Sequence, residues 1–167
     1  MFRFLLQPFL LLFVISGIAS CASSRTAAQS SGDEAQLSPK ELLKEINAVR
    51  ARGCNCGGSR YPPVPPVKWN NHLENVAVTQ SRYMQRTGQL KHTGANGATL
   101  QKRVSNAGYR WSYVAENIAM GQRTTPDVVQ AWIQSPGHCR NIMSASVSEI
   151  GAAVSDYYWT LVLAAPQ

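Results

Sequence analysis

The chain has 167 residues, 44% of them hydrophobic and 15% charged, with a formal net charge of +7. This length fits one domain plus a targeting segment. The basic residues are scattered, without a continuous run or helical stripe, which argues against nucleic-acid binding. A mildly basic surface instead favours contact with anionic lipids or cell-wall polymers.

Residues 1–20 have the pattern of a secretory signal peptide. Arg3 supplies a positive start, residues 4–18 are almost wholly apolar, and two small residues follow. The apolar run is shorter than the roughly 20 residues that a transmembrane helix needs. Gln7 and Pro8 also interrupt it, so the pattern favours a cleaved signal over a permanent span.

The sequence Ile18-Ala19-Ser20-Cys21 resembles a bacterial lipobox, in which Cys21 is lipidated and becomes the first mature residue. Acyl chains anchor a protein by burying methylene groups at about 0.8 kcal/mol each. Residues 21–37 show no periodic apolar pattern, which predicts a flexible tether. We therefore expect a membrane-anchored lipoprotein of the bacterial cell envelope, or a secreted protein if ordinary cleavage leaves Cys21 unlipidated.

A folded domain is predicted from residue 38 to residue 167. The segment Ser38-Pro39-Lys40-Glu41 has the features of a capping box with proline at the first helical position. Leu42, Ile46 and Val49 follow at helical spacing, and Gly53 can end the helix.

The next segments predict a loop and three more helices. Four prolines between residues 54 and 70 predict an irregular loop without strand pairing. A second helix is expected from an Asn71 cap to Gly88, and a third over residues 99–107. A fourth starts at Thr125 and is expected to break at Ser135-Pro136-Gly137.

Strand patterns come late in the chain. Residues 147–155 and 157–164 are rich in β-branched and aromatic residues, with a turn between them, and residues 111–120 form a weaker candidate. Helices followed by a small antiparallel sheet predict a layered α+β domain.

Three short segments, residues 90–94, 115–119 and 135–143, contain residues suited to chemistry, namely His92, Glu116 and His138. Two imidazoles and one carboxylate converging on a cleft would suit zinc with an open coordination position. Spacing alone does not separate this reading from ordinary surface histidines.

The same segments, with the run Trp132 to His138 and the Tyr158-Trp159-Thr160 strand, resemble bacterial members of the CAP superfamily (cysteine-rich secretory, antigen 5 and pathogenesis-related proteins). The resemblance implies a three-layer α-β-α sandwich with a central antiparallel sheet. It also implies a cleft lined by two histidines and two acidic residues, which in some members holds zinc or another divalent ion. His92, Glu116 and His138 match three of these positions. The fourth falls on Ser135, and Glu149 is the only nearby acid.

The resemblance further implies a disulfide between Cys56 and Cys139, with Cys54 left as an odd thiol. A Cys54–Cys139 bond remains open. A zinc site of Cys54, Cys56 and His138 is less favoured because four well-spaced ligands are not present. Asn117 and Asn141 are expected to tie down loop backbone, and His72 is expected to be an exposed residue at a helix start.

The favoured function is a monomeric binding module for lipid or cell-wall material, with or without a divalent metal. A metal-assisted hydrolase or peptidase using Glu116 as general base is one alternative. The sequence has neither Gly-x-Ser-x-Gly nor His-Glu-x-x-His, which makes an enzyme less favoured. A purely structural surface lipoprotein is the other alternative.

Overall fold

The computed structural model describes Met1 and residues 34–167, so the predicted signal peptide, Cys21 and most of the tether lie outside the described residues. Five helices and six strands follow along the described chain: α1 (Pro39–Arg52), β1 (Cys54–Cys56), β2 (Ser59–Tyr61), β3 (Lys68–Trp69), α2 (Asn71–Thr87), α3 (Leu100–Asn106), β4 (Trp111–Met120), α4 (Thr125–Gln134), α5 (Pro136–Ile142), β5 (Glu149–Ser155) and β6 (Tyr158–Pro166). None of the helices in this part of the chain has the length and apolar character needed to cross a membrane.

The central sheet has the strand order β3-β5-β6-β4. The three long strands β4, β5 and β6 pair antiparallel, and the two-residue β3 adds a parallel edge beside β5. The predicted strand over residues 111–120 has these bounds in the structure.

Two apolar clusters cover the two faces of the sheet and make it the middle of three layers. On one face, α2 packs against β5 and β6 and α3 packs against β4, through a cluster that includes Leu73, Val76, Val104 and Val162. On the other face, α1, α4 and α5 contribute a larger cluster. The predicted α-β-α sandwich is therefore confirmed.

Glycine at position 151 permits the close approach of α2 to the sheet. A Cβ atom at Gly151 would collide with the backbone nitrogen of Glu74, in the first turn of α2. Backbone atoms cannot give way as a flexible side chain can. The absence of a side chain there lets the start of α2 lie directly on β5.

The start of α1 follows the prediction in part. The Ser38 hydroxyl accepts a hydrogen bond from the Glu41 amide at 3.3 Å, but the Ser38 amide donates to Oγ1 of Thr125 at 3.0 Å. A link to α4 thus replaces the reciprocal half of the capping box. Packing also begins before residue 38, since Ala35 is buried in the core.

Two local predictions were wrong. The proline-rich segment does contain strands, because its prolines fall between β2 and β3 and leave the hairpin β1–β2 free to pair. Asn70 rather than Asn71 caps α2, accepting from the amides of His72 and Leu73. The break predicted after α4 is confirmed, because α4 ends at Gln134. The same segment also starts α5, which was not predicted, with Pro136 at its first position, where a missing amide hydrogen costs nothing.

Candidate functional site

The centre of the candidate site is a histidine–carboxylate–arginine group. Nδ1 of His92 lies 2.9 Å from Oε1 of Glu116, and Nη2 of Arg103 lies 2.8 Å from Oε2. Because an ionised carboxylate only accepts hydrogen bonds, Nδ1 is the protonated nitrogen of the imidazole. The arrangement therefore leaves Nε2 of His92 available for a ligand.

Burial differs sharply between the three side chains. The side chain of His92 is 60% exposed, whereas those of Glu116 and Arg103 are 2% and 7% exposed. The carboxylate and the guanidinium thus form a buried ion pair, and the imidazole that contacts this pair lies at the protein surface.

The strand β4 places the carboxylate at the edge of the sheet. Glu116 lies opposite Val162 of β6, and β4 is the edge strand of the sheet that the described residues form. Val162 belongs to the cluster under α2 and α3, so Glu116 points toward that layer. Asn117, the next residue, points to the opposite face.

The loop that carries His92 is fixed by α2 and α3. Gln80 of α2 donates to the carbonyl oxygen of Lys91 at 2.6 Å, and Arg103 of α3 donates to that of His92 at 3.0 Å. A Cβ atom at Gly94 would lie 3.0 Å from Oε1 of Gln80 and 3.0 Å from Cδ of Arg103. Glycine there lets the loop lie directly on these two side chains.

His138 approaches the site from the other layer. Asn117, buried on β4, donates to the carbonyl oxygen of His138 at 3.1 Å, and Asn141 donates to the Asn117 side chain at 2.8 Å. Asn117 thus ties down backbone as predicted, but the backbone is that of α5 and not of a loop, while Asn141 acts through Asn117. The imidazole has a lowered pKa, first because burial disfavours its charged form and second because His92 is close enough to repel that charge.

A pocket of about 300 Å³ opens beside this group. Its lining consists of His92, Thr93, Thr99, Leu100, Gln101 and Glu116. Hydroxyl, imidazole and amide groups thus face it together with one aliphatic side chain. His138 does not line this pocket.

The three predicted ligands do not form a compact metal site. Among the described residues, the sulfurs of Cys54, Cys56 and Cys139 are the only set of three possible ligand atoms lying within 4.8 Å of one another. Both oxygens of Glu116 are also engaged, one by a guanidinium that competes with any cation. The carboxylate of Glu116 is therefore not placed to serve as a third ligand beside the two imidazoles.

Of the two candidates for the fourth position, Glu149 has partners away from the group. Glu149 accepts from the Tyr109 hydroxyl at 2.6 Å and from the Asn70 amide at 3.0 Å, near the start of α2. Ser135 lies between α4 and α5 without a side-chain capping bond. His72 is exposed as expected, and its Nδ1 lies 2.8 Å from the carbonyl oxygen of Ala107.

Sequence reasoning missed Arg103 and Gln80 as members of the site. The position of Arg103 gave a signal, because it falls three residues after Leu100 on the apolar side of α3. A charged residue on an apolar helix face requires a buried partner. Gln80 occupies the same kind of position on α2.

A protein-family model matches most of this chain. The family model "CAP: Cysteine-rich secretory protein family" matches residues 43–162. The Bacillus subtilis protein YkwD is 29% identical over 97 residues, and the B. subtilis membrane protein YlbC is 22% identical over 123 residues. These matches cover 57% and 74% of this chain but only 38% and 33% of the two relatives.

Solved structures show the same fold. An SCP-domain extracellular protein from Bacillus anthracis superposes with a TM-score of 0.67 at 21% identity, covering 77% of this chain and 44% of that one. An outer surface protein from Borrelia burgdorferi gives a TM-score of 0.64 at 20% identity, covering 80% and 99%. A Staphylococcus aureus cysteine-rich secretory protein gives 0.58 at 17% identity, covering 75% and 37%.

Proposed function

The chain belongs to the cysteine-rich secretory protein (CAP) family, and on that premise we propose that it is an exported cell-envelope protein that binds cell-wall material in the pocket beside His92. The observation that carries the proposal is an exposed imidazole held on the buried Glu116–Arg103 pair at the mouth of this pocket. Membrane attachment through a lipidated Cys21 remains part of the proposal. Relatives described as extracellular and outer surface proteins support the location.

The lining favours a small polar group over an acyl chain. Two threonine hydroxyls, an amide and the Nε2 of His92 provide hydrogen-bonding groups, whereas Leu100 is the single aliphatic lining residue. A volume of about 300 Å³ suits a sugar or short peptide unit. The net charge of +7 would also favour anionic wall polymers.

Binding fits the site better than hydrolysis. A general base needs a carboxylate oxygen that can reach water or substrate. Glu116 is almost fully buried, and His92 and Arg103 occupy its two oxygens. We therefore assign Glu116 a positioning role, in which it orients the imidazole toward the ligand.

The test is a thermal-shift titration of the full chain with soluble muropeptides, with short-chain phosphatidylglycerol as the lipid comparison. A ligand bound only by the native state raises the melting temperature. We expect a saturable rise with muropeptides that disappears in His92→Ala and persists in the control His72→Ala. An equal rise in His92→Ala, or a rise with the lipid alone, would reject this ligand class.

A zinc titration of the same proteins tests the metal. From the geometry around His92, we expect that zinc does not raise the melting temperature in a saturable way through His92 and His138. A rise in melting temperature lost in both His92→Ala and His138→Ala would instead show that the two imidazoles move together around an ion.

A further inference from the structure

Three cysteine sulfurs lie together on the layer that contains α5. Cys56 and Cys139 form a disulfide, and Cys54 is free. The sulfur of Cys54 lies 3.7 Å from that of Cys139. A thiol is therefore in van der Waals contact with one end of a disulfide bond.

The hairpin explains why two cysteines face the same partner. Cys54 and Cys56 are two residues apart on β1, so their side chains point to the same face of the hairpin. Gly57 and Gly58 form its turn with φ values of +62° and +89°, the backbone of a tight hairpin that glycine adopts without strain. A Cβ atom at Gly57 would lie only 2.7 Å from Cβ of Pro136, so the turn presses directly on the start of α5.

We propose that these sulfurs form an internal thiol–disulfide exchange site. The Cys54 thiol gives its proton to solvent, and the thiolate attacks the sulfur of Cys139. A Cys54–Cys139 bond forms as the Cys56–Cys139 bond breaks, and Cys56 leaves as a thiolate that takes a proton from solvent. One disulfide and one thiol are present before and after, so the step needs no external oxidant or reductant.

Exchange would move the free thiol between two environments. Cys54 is partly exposed, whereas Cys56 is 1% exposed and Cys139 is fully buried. The chain would thus present a reactive thiol in one isomer and hide it in the other. Cys139 stays bonded to β1 in both isomers, so the neighbouring His138 keeps its anchor.

The oxidised chain favours exchange over metal binding at these sulfurs. Three thiolates could hold a soft metal ion, but two of the three sulfurs are consumed by the disulfide. A metal site would first require an external reductant. Exchange uses only the groups that the structure contains.

The experiment maps disulfides in full chains that all carry Cys21→Ser, so that three cysteines remain. Each protein is held at pH 8.5 and then quenched and digested with pepsin in acid, because exchange proceeds through the thiolate and stops at low pH. The parent chain should yield both Cys56–Cys139 and Cys54–Cys139 peptides. Cys56→Ser, treated with oxidised glutathione, should form Cys54–Cys139 with release of reduced glutathione, and the control Cys54→Ser should contain only Cys56–Cys139.

Two results would overturn the proposal. One is a parent chain that yields only the Cys56–Cys139 peptide after prolonged incubation at pH 8.5. The other is a Cys56→Ser protein that keeps two free thiols after treatment with oxidised glutathione, while its circular dichroism matches that of the parent. If Cys56→Ser does not fold, the map of the parent chain decides alone.

Discussion

At the scale of single residues, the pairing of Glu116 with Arg103 sets the stability of the site. The two side chains are 2% and 7% exposed and meet at 2.8 Å. Neutralising one partner of a buried ion pair leaves the other charge without compensation, which costs about 3 kcal/mol. We therefore expect Glu116→Gln to lower the free energy of unfolding by that amount, as measured by urea denaturation.

A double-mutant cycle separates this loss from a general packing defect. Arg103→Met removes the charge that Glu116 would otherwise leave unpaired. The combined variant Glu116→Gln/Arg103→Met should therefore be more stable than the sum of the two single losses predicts. Strict additivity would mean that the two charges do not stabilise each other.

The convergence of the two histidines is also testable. Burial is the larger cause of the lowered His138 pKa and the charge of His92 the smaller. In His92→Asn, the pKa of His138 measured by NMR titration should rise part of the way toward 6.5. An unchanged pKa would place the two imidazoles out of electrostatic reach and exclude His138 from the candidate site.

A lowered pKa also fixes the sign of a pH effect. The unfolded chain binds a proton at His138 more readily than the native one does. The native state is therefore favoured above the unfolded pKa, and this stability is lost as the pH falls below about 6.5 toward the lower native pKa. His138→Gln should reduce the loss of unfolding free energy over that range.

At the scale of elements, the buried side chain of Arg50 links α1 to the neighbouring segments of its layer. Arg50 is fully buried, and burial lowers its pKa. Its guanidinium donates to four backbone carbonyl oxygens at 2.6 to 3.0 Å, those of Pro65, Ile142, Ser144 and Val147. The contacts join the end of α1 to the proline-rich segment, the end of α5 and the chain before β5.

Replacing this arginine should loosen all of these segments. Arg50→Met keeps much of the buried side-chain volume but leaves four acceptors without a donor. Each unsatisfied buried group costs about 1 kcal/mol or more, so we expect a loss of about 4 kcal/mol in the free energy of unfolding, measured by denaturant titration. The exposed Arg52 of the same helix offers a matched control, and equal stability of Arg50→Met and Arg52→Met would contradict the assigned role.

The sequence predicted the elements whose patterns are long. The periodic apolar residues of α1 and α2 and the alternating strands near the C-terminus were recognisable, and four linked motifs led to the correct fold. The two-residue β3 has no pattern of its own, because β5 supplies its pairing. α5 was missed because Pro136 reads equally as a stop and as a first helical residue.

Only those site residues that lie within the family motifs were predictable from the sequence. His92, Glu116 and His138 were named from those motifs. Arg103 lies outside these motifs, and its role depends on the packing of α3 beside β4. Glu149 was suggested by proximity along the chain, but β5 places its carboxylate beside Tyr109 and Asn70. Sequence distance is a poor guide when strand order determines which residues meet.

At the scale of the whole molecule, a single disulfide closes most of the domain into one loop. Cys56 and Cys139 are separated by 83 residues, and the alternative pair Cys54–Cys139 by 85. The loop-closure entropies of the two pairings differ by only about 0.02 kcal/mol. Either bond should therefore stabilise the native state to a similar extent, about 4 kcal/mol in the chain-entropy model.

This equivalence predicts an order of stabilities among cysteine variants in the Cys21→Ser chain. Cys54→Ser should match its parent because the Cys56–Cys139 bond remains. The double variant Cys54→Ser/Cys56→Ser should lose about 4 kcal/mol, since no bond can form. Cys56→Ser alone should lose clearly less, because Cys54 can pair with Cys139, and both variants carry the same buried serine. Guanidinium unfolding with and without reductant measures the series. Reductant should bring Cys56→Ser down to the double variant, whereas equal stability of these two without reductant would mean that Cys54 does not replace Cys56.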